Sequence, residues 1–481
     1  MAEAAATGCR RVGLQGTGDW LRCPRQTNIM DVVCIPARRV TGAGRTGPKV
    51  AGPAEPRVAA PRGAALGARR GRRGGASMAD SKRYVIVGNG VAGTTAAETI
   101  KKLEPQSQVT LLAAEPYPLY NRVSLPHYLK GTVSEDKVFM RSVEQHADKG
   151  IDLRLETRVV SVHPDERVVV TEAGETYPYD RLLIATGGRP RPLPAPGADT
   201  PGVYYFQTLD DTRQMVERFA TARRAVVVGG SFIAYELAEG FRRRGLEVVW
   251  LIRGPRWLRR ILDEDGGRLV DLLARDHGIE ILYGEEVAQV HAAGGTVKAV
   301  TTTGGQTIEA DMVGCGLGLD FYTELLAGSG VEVQGGVVTN ERLETSVPGI
   351  YAAGDVARFF DVFIGRHNQM GTWNNAMTHG RVVGANMVGA NRSYREVPVY
   401  SSGLFDSKIT AIGATPENHP EVEAVSHVDW ENRQYQRLFF LEGRLVGAVL
   451  IGDLRARKKI VDMITQRETV DDPNRLILSL T

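Results

Sequence analysis

Two glycine-rich loops, a pair of arginines and one late aspartate are the residues here whose types and spacing could do chemistry. Gly88-Asn89-Gly90-Val91-Ala92-Gly93 follows the apolar run Tyr84-Val85-Ile86-Val87 and opens a helical pattern that reaches about Leu103. Between a strand and a helix, G-x-G-x-x-G suits a dinucleotide pyrophosphate. Gly88 makes the tight turn, Gly90 lets the backbone approach the phosphates, and Gly93 permits close helix–strand packing. The helix N-terminus adds oriented N–H groups and positive dipole. A second strand over 109–113 leads to Glu115, 22 residues past Gly93, where an acid would bond a ribose 2′-OH. A solvated loop charge is the alternative there.

The second loop, Gly229-Gly230-Ser231-Phe232-Ile233-Ala234, follows the buried run 225–228 and reads G-x-S-x-x-A. Ser231 places a small side chain where backbone should meet phosphate, and its hydroxyl could donate to a phosphate oxygen. Ala234 costs little helix–strand clearance. The next strand, 247–252, ends in Ile252 rather than an acid, and Arg253 and Arg259 follow. Guanidinium forks suit a 2′-phosphate, so NADPH is expected in preference to NADH. A solvated basic turn is the competing reading.

Two later segments bear on the first loop. One is a strand running into Ala185-Thr186-Gly187; the other ends Ala352-Ala353-Gly354-Asp355. Asp355 would stand at the mouth of a sheet, where it can accept hydrogen bonds from a polyol chain; a helix N-cap is the equal alternative. Gly88, Gly90 and Gly93, the Ala185-Thr186-Gly187 turn and the Gly354-Asp355 pair, in this order, resemble the FAD-binding set of the pyridine nucleotide-disulfide oxidoreductase superfamily over about residues 82–455. The resemblance implies an α/β fold with two Rossmann-like dinucleotide-binding domains, glutathione reductase-like, plus a C-terminal α+β domain. It also likens Arg253 and Arg259 to the NADPH pair of glutathione reductase-like enzymes.

Residues 88–140 contain no cysteine, which argues against thiol-based reductase and peroxidase branches. What remains resembles ferredoxin, rubredoxin and nitrite reductase flavoproteins. That likeness implies that Arg122, in Tyr120-Asn121-Arg122, helps hold FAD. It implies that Glu236, on the first turn after the second loop, positions the hydride donor. It also implies that Trp373, in Trp373-Asn374-Asn375-Ala376, opens a helix beside the flavin. A lysine common in ferredoxin reductases falls at His127 here, which puts that flavin contact in doubt.

The elements that must position these residues divide the chain into 78–195 and 311–396 for FAD, 196–310 for NAD(P), and a C-terminal interface domain over 397–481. In the last, 435–441 and 445–451 flank a Glu442-Gly443 turn and read as a hairpin. Residues 1–77 differ in kind. They hold 14 Lys/Arg against four acids, a net of +10, whereas the remaining 404 residues hold 45 Lys/Arg and 52 Asp/Glu, a net of −7. Residues 35–77 are mostly Ala, Gly, Pro and Arg, which cannot bury enough apolar surface to offset chain entropy. A disordered segment is expected, with Met78 read as the initiator; a transit peptide and a basic nucleic-acid arm are the alternatives.

Of four cysteines, only Cys315 lies beyond Cys34, in a strand-to-loop position that suits a structural role. His127, His367 and His379 lack metal-ligand spacing, so no metal site is expected. No apolar run reaches the ~18–20 residues of a membrane span, and a cytoplasmic protein is expected. The resulting expectation is an FAD-dependent NAD(P)H oxidoreductase passing electrons to a separate ferredoxin, rubredoxin or nitrite reductase-type partner. Competing readings are an NAD(P)H oxidase using O₂ and an apoptosis-inducing factor-like redox or binding protein.

Overall fold

The computed structural model describes residues 81–480, so the expectations for residues 1–77 lie outside the described residues. Buried parallel strands read as unbroken apolar runs because both faces are covered by other elements. Two such sheets form here. The first orders Ile350–Ala352, Arg181–Ile184, Arg83–Val87, Gln108–Leu112 and Ile151–Arg154, all parallel. The second orders Ile279–Tyr283, Glu247–Ile252, Arg224–Val228, Met312–Cys315 and Val203–Tyr205, also parallel. The strand Ile350–Ala352 returns to the first sheet after the second has been built, so the first unit is discontinuous in sequence. A short antiparallel ribbon, Gly188–Pro190 against Leu319–Phe321, carries the chain between the units in both directions.

The described helices are α1 (Val91–Leu103), α2 (Leu125–Lys130), α3 (Val143–Asp148), α4 (Leu209–Arg218), α5 (Phe232–Arg243), α6 (Glu264–Asp276), α7 (Trp373–Met387), α8 (Arg457–Gln466) and α9 (Pro473–Leu478). α1 follows the first strand of the first sheet, and α5 follows the central strand of the second. Each therefore points its N-terminus at the carboxyl edge of its sheet, where open α/β sheets bind ligands.

A third, antiparallel sheet orders Val399–Leu404, Ser407–Gly413, Arg444–Ile451, Gln434–Leu441 and Glu423–Asp429. One face is covered by α8 and α9, with Leu438, Leu450, Ile460 and Ile464 in the shared core. The other contributes Tyr435, Phe439 and Val449 to the same apolar cluster as Leu237, Trp250 and Trp257 of the second unit. This continuous core fixes the antiparallel sheet against α5 rather than leaving it a tethered appendage.

Candidate active site

The first loop is shaped by what its glycines exclude. Gly88 has φ +109, and a side chain there would overlap the Ala185 carbonyl. A Cβ on Gly93 would overlap the Gly88 carbonyl and come 3.1 Å from Ile86 Cγ2. Gly90 and Gly187 are different: a Cβ on either meets nothing within 4 Å, so backbone at both faces open space. Thr186 is turned away from that space, its hydroxyl donating to the Tyr322 carbonyl at 2.8 Å. The Asn89 amide binds the Tyr117 carbonyl at 2.8 Å and ties the loop to the segment carrying Glu115 and Arg122.

Arg122 donates from one guanidinium nitrogen to the Gln207 carbonyl and from another to Glu115 at 2.6 Å, with its carbon 5.1 Å from the Tyr120 ring centroid. The other Glu115 oxygen accepts from Tyr120 at 2.7 Å. The chain doubles back after the strand, so that one Glu115 oxygen bonds Arg122 and the other Tyr120, and each oxygen keeps a further acceptor site. Burial opposes the charge on Arg122, but Tyr120, Glu115 and Asp355 together hold it firmly protonated.

Asp355 precedes a strand, Ala357–Asp361, and therefore caps no helix. Burial raises its carboxyl above the usual range, while Arg122 across the cleft pulls it down. Its turn is set by Gly354 at φ +78, whose N–H donates to His379 Nδ1 at 3.3 Å, and by Gln369, which donates to the Asp355 carbonyl at 3.1 Å. A Cβ on Gly371 would stand 3.0 Å from Asp355 Cγ. His379 is fully buried on α7, and burial pushes its imidazole down to about 3, so it stays neutral and can accept.

Trp373 is the first residue of α7, half-buried against the α1–α7 core, behind the N-cap Thr372, whose hydroxyl accepts from Asn375 N–H at 3.2 Å. Two glycines one turn apart, Gly380 and Gly384, let α7 lie almost on the backbone of α1 at Ala92 and Ala96. That crossing sets the start of α7 against Gly354. The Gly-x-x-x-Gly spacing is visible in the sequence and is the signal that could have found it.

In the second unit, Gly229 has φ +123, and a side chain there would overlap the Gly316 carbonyl. Gly316 in turn leaves room for Ala234; a Cβ on it would lie 2.8 Å from Ala234 Cβ. Ser231 caps α5, accepting from Ala234 N–H at 3.2 Å and donating to the Gly316 carbonyl at 2.8 Å. Its hydroxyl thus bridges the start of α5 to the Gly316 turn. The arginine-bearing segment folds back onto this loop. Trp257 Nε1 donates to the Ser231 carbonyl at 3.0 Å, and the Leu258 N–H to the Gly230 carbonyl at 3.3 Å. Arg253 is exposed and 3.5 Å from Glu286; Arg259 lies over Gly254.

Glu236 is the fifth residue of α5, one position past the first turn. Counting the helix from the end of the loop puts Glu236 within that turn, but Ser231 itself is the cap, and the helix starts earlier. Burial pushes the Glu236 carboxyl up to about 7, against the pull of Lys130 and a hydrogen bond from Ser402. One turn on, Glu239 accepts from Lys130 of α2, from Tyr235 at 2.8 Å and from Arg243 at 2.8 Å. Burial opposes its charge, but these three outweigh it and hold the carboxyl below its ordinary value. At His127, the position of the expected lysine, burial and then Lys130 lower the imidazole below its ordinary value. The cation instead sits three residues later on the same face of α2, and no sequence spacing connects it to Glu239.

Residues 82–380 match the family described as Pyridine nucleotide-disulphide oxidoreductase, and residues 398–468 match the Rubredoxin NAD+ reductase C-terminal domain. The chain belongs to the pyridine nucleotide-disulphide oxidoreductase family. It is similar to the nitrite reductase [NAD(P)H] of Bacillus subtilis (strain 168), 29% identical over 397 residues that are 82% of this chain and 48% of that protein. The chain thus spans about half the length of this relative. Among solved structures it resembles the covalent putidaredoxin reductase–putidaredoxin complex, with a TM-score of 0.77 and 26% identity over 82% of this chain and 95% of that one. An engineered water-forming NADPH oxidase bound to NADPH shares the fold, with a TM-score of 0.74 and 24% identity over 81% of this chain and 92% of that one.

Among the described residues the one cysteine lies on the strand beside the second loop, paired with Val228. Cys315 ends the strand Met312–Cys315, is buried, and burial pushes its thiol up to about 12. Among the described residues no group of three or more His, Cys, Asp or Glu could hold a metal ion, and no helix is long and apolar enough to cross a membrane.

Proposed function

We propose that this chain is an FAD-dependent NAD(P)H oxidoreductase of the cytoplasm, which takes reducing equivalents from NADPH in preference to NADH. Its acceptor is a separate metal-centre protein, a ferredoxin, rubredoxin or nitrite reductase-type partner. The observation that carries the reading is the pairing of two strand–loop–helix cradles in one compact fold. In the first, backbone at Gly90 and Gly187 is open, while the half-buried Arg122 and Asp355 act on each other across the cleft.

The residues fit a flavin dinucleotide. Gly88, Gly90 and Gly93 with the start of α1 would hold the pyrophosphate, Arg122 would neutralise it, and Asp355 would bind the polyol chain. Ala185, Thr186 and Gly187 would line the flavin side, and α7, opened by Trp373, would direct its N-terminal dipole there. When bound, a flavin accepts a hydride from a nicotinamide and releases electrons one at a time, which needs no protein nucleophile. At the second cradle, Gly229, Ser231 and Ala234 with the start of α5 would hold the nicotinamide dinucleotide, and Glu236 would orient its carboxamide end.

NADPH is favoured by Arg253 and Arg259, which Trp257 and Leu258 hold beside the second loop. A spacing supports this independently of overall likeness. Of the five substitutions carried by the engineered NADPH oxidase, two are to alanine, one to serine and two to arginine; the first alanine and both arginines have the separations of Ala234, Arg253 and Arg259 here, whereas Ile252 and Gly254 stand at the spacing of the other two. A partner protein is favoured by the putidaredoxin carried in the solved complex and by the rubredoxin reductase C-terminal domain.

Anaerobic titration of the flavin-loaded chain with NADPH and NADH, followed by turnover against a panel of ferredoxins and rubredoxins, tests the reading. The expected outcome is bleaching of flavin absorbance and fast cytochrome reduction only when an iron–sulfur protein is present. A chain that binds no flavin, or whose flavin neither nucleotide bleaches, refutes it. Fast peroxide formation without any acceptor protein would establish the oxidase instead.

A further inference from the structure

The antiparallel sheet reaches into the second cradle. Tyr400 and Ser402, two apart on the strand Val399–Leu404, project from the same face, as alternation in a strand requires. Ser402 Oγ lies 3.4 Å from Glu236 Oε1, and the Tyr400 hydroxyl, on the same strand face, favours the charged form of the Glu236 carboxyl. The Tyr400 ring stands 4.5 Å, centroid to centroid, from Phe232, the first residue of α5. Phe232 in turn meets Trp257 edge-on at 5.4 Å, in the segment that carries Arg253 and Arg259.

The strand is pinned at its end. Phe405, in the left-handed region at φ 56, donates its N–H to the Tyr235 hydroxyl at 2.6 Å and stacks on His277 at 4.8 Å. A bulky residue rarely adopts that conformation, so the surrounding packing holds it there. The register between this strand and α5 is consequently fixed where Tyr400 meets Glu236.

We propose that Tyr400, assisted by Ser402, is a positioning residue for the hydride-donor site: its hydroxyl orients the Glu236 carboxylate and its ring covers Phe232, so the C-terminal domain completes the nicotinamide pocket. This rests on the NAD(P)H reading above. The groups facing Glu236 are Lys130 of α2, Tyr235 and Glu239 of its own helix, and Tyr400 and Ser402 of the strand. Of these, Tyr400 and Ser402 come from the C-terminal domain.

The test is the affinity of the flavin-loaded full chain for NADP⁺, read by tryptophan fluorescence from about pH 5.5 to 9. Wild type is compared with Tyr400→Phe, Tyr400→Ala and a distant control, Tyr177→Phe. Differences from wild type cancel the titration of the nucleotide's own phosphate. Ionised Glu236 favours the cationic nicotinamide, so affinity falls as pH drops through its midpoint. Tyr400→Phe removes a donor that stabilises the carboxylate and moves that midpoint up by roughly half to one unit. Tyr400→Ala also loses the ring contact and weakens binding roughly three- to tenfold further at every pH. The control behaves as wild type. An unmoved midpoint in Tyr400→Phe, or wild-type affinity in Tyr400→Ala, overturns the proposal even if both variants melt earlier. A wild-type chain that binds neither nicotinamide nucleotide overturns the functional reading and this proposal together.

Discussion

Replacing Gly384 by alanine sets two opposed effects against each other, and the sign of the result reports whether α1 and α7 touch as described. In a helix free of neighbours, Gly→Ala stabilises by about 0.5–1 kcal/mol through chain entropy. Here the added Cβ would stand 2.7 Å from the Ala96 carbonyl oxygen, 2.9 Å from Thr99 Cβ and 3.0 Å from Ala96 Cα. Comfortable carbon contacts lie at about 3.5–4.0 Å, so the helices must part by roughly 0.5–1 Å. Two of the three atoms are backbone, which cannot swing aside, and overpacking of this kind costs about 1–3 kcal/mol. The net is a loss of about 1–2 kcal/mol.

The displacement also has a direction. α1 and α7 start at the Gly90 and Asp355 sides of the same cleft, so parting them loosens the flavin cradle as well as the core. The assay is flavin retained per chain after gel filtration, measured alongside the thermal midpoint. Gly384→Ala should melt a few degrees lower and lose part of its flavin, and Gly384→Val should lose most of it. An alanine variant as stable as wild type, or more so, with full flavin would show that the helices do not approach this closely.

Further outcomes concern the second cradle and its surroundings. Arg253→Ala with Arg259→Ala should lower kcat/KM for NADPH by roughly 10- to 100-fold, the value of one or two charge-assisted phosphate contacts, and leave NADH unchanged; equal losses with both nucleotides would refute a 2′-phosphate role. Lys130→Met strands the buried Glu239, a change that usually costs ~3–5 kcal/mol, but Arg243 and Tyr235 remain, so about 2–3 kcal/mol is expected in denaturant melts. For Glu236 the folded carboxyl titrates near 7 against an ordinary value of 4.5, so its contribution to stability is complete below about 4.5 and is lost as pH rises through about 7. Glu236→Gln should therefore flatten the fall in melting temperature between about pH 5 and 8, and an unchanged fall in the variant would contradict a buried, reluctant carboxylate.

Much of this fold was legible because its central strands are buried on both faces. The runs at 84–87 and 225–228 have no polar residue to confuse them, and glycine marks the turn after each. The Glu442-Gly443 hairpin was legible from alternation on either side of a glycine-containing turn. The strands Ser407–Gly413 and Glu423–Asp429 were not. Glu423–Asp429 is an edge strand with no buried residue, so it lacks the alternation that identifies a half-buried strand. Local chemistry also adds detail that spacing does not carry. Ser231 acts as a cap, which shifts Glu236 along its helix. Glu115 reads as a ribose acid from its distance to Gly93, and Arg122, seven residues later, folds back to pair with it.

What no spacing could disclose is how the three parts are joined at Glu236 and Glu239. Lys130 is 109 residues from Glu239, and Ser402 is 166 from Glu236. On each helix the relevant side chains are three apart: His127 and Lys130 on α2, Glu236 and Glu239 on α5. Positions three apart share a helix face. Placing the lysine at 130 pairs it with Glu239 and makes that carboxylate the anchor between the first and second units. Glu236, one turn nearer the cleft, keeps no direct cation and faces Tyr400 and Ser402 instead. A carboxyl raised by burial, with Lys130 acting on it only from a distance, is free to change charge in the range where its neighbour cannot. The register of one lysine along α2 thus separates a fixed charge that holds units together from a titrating group that can respond to a nucleotide.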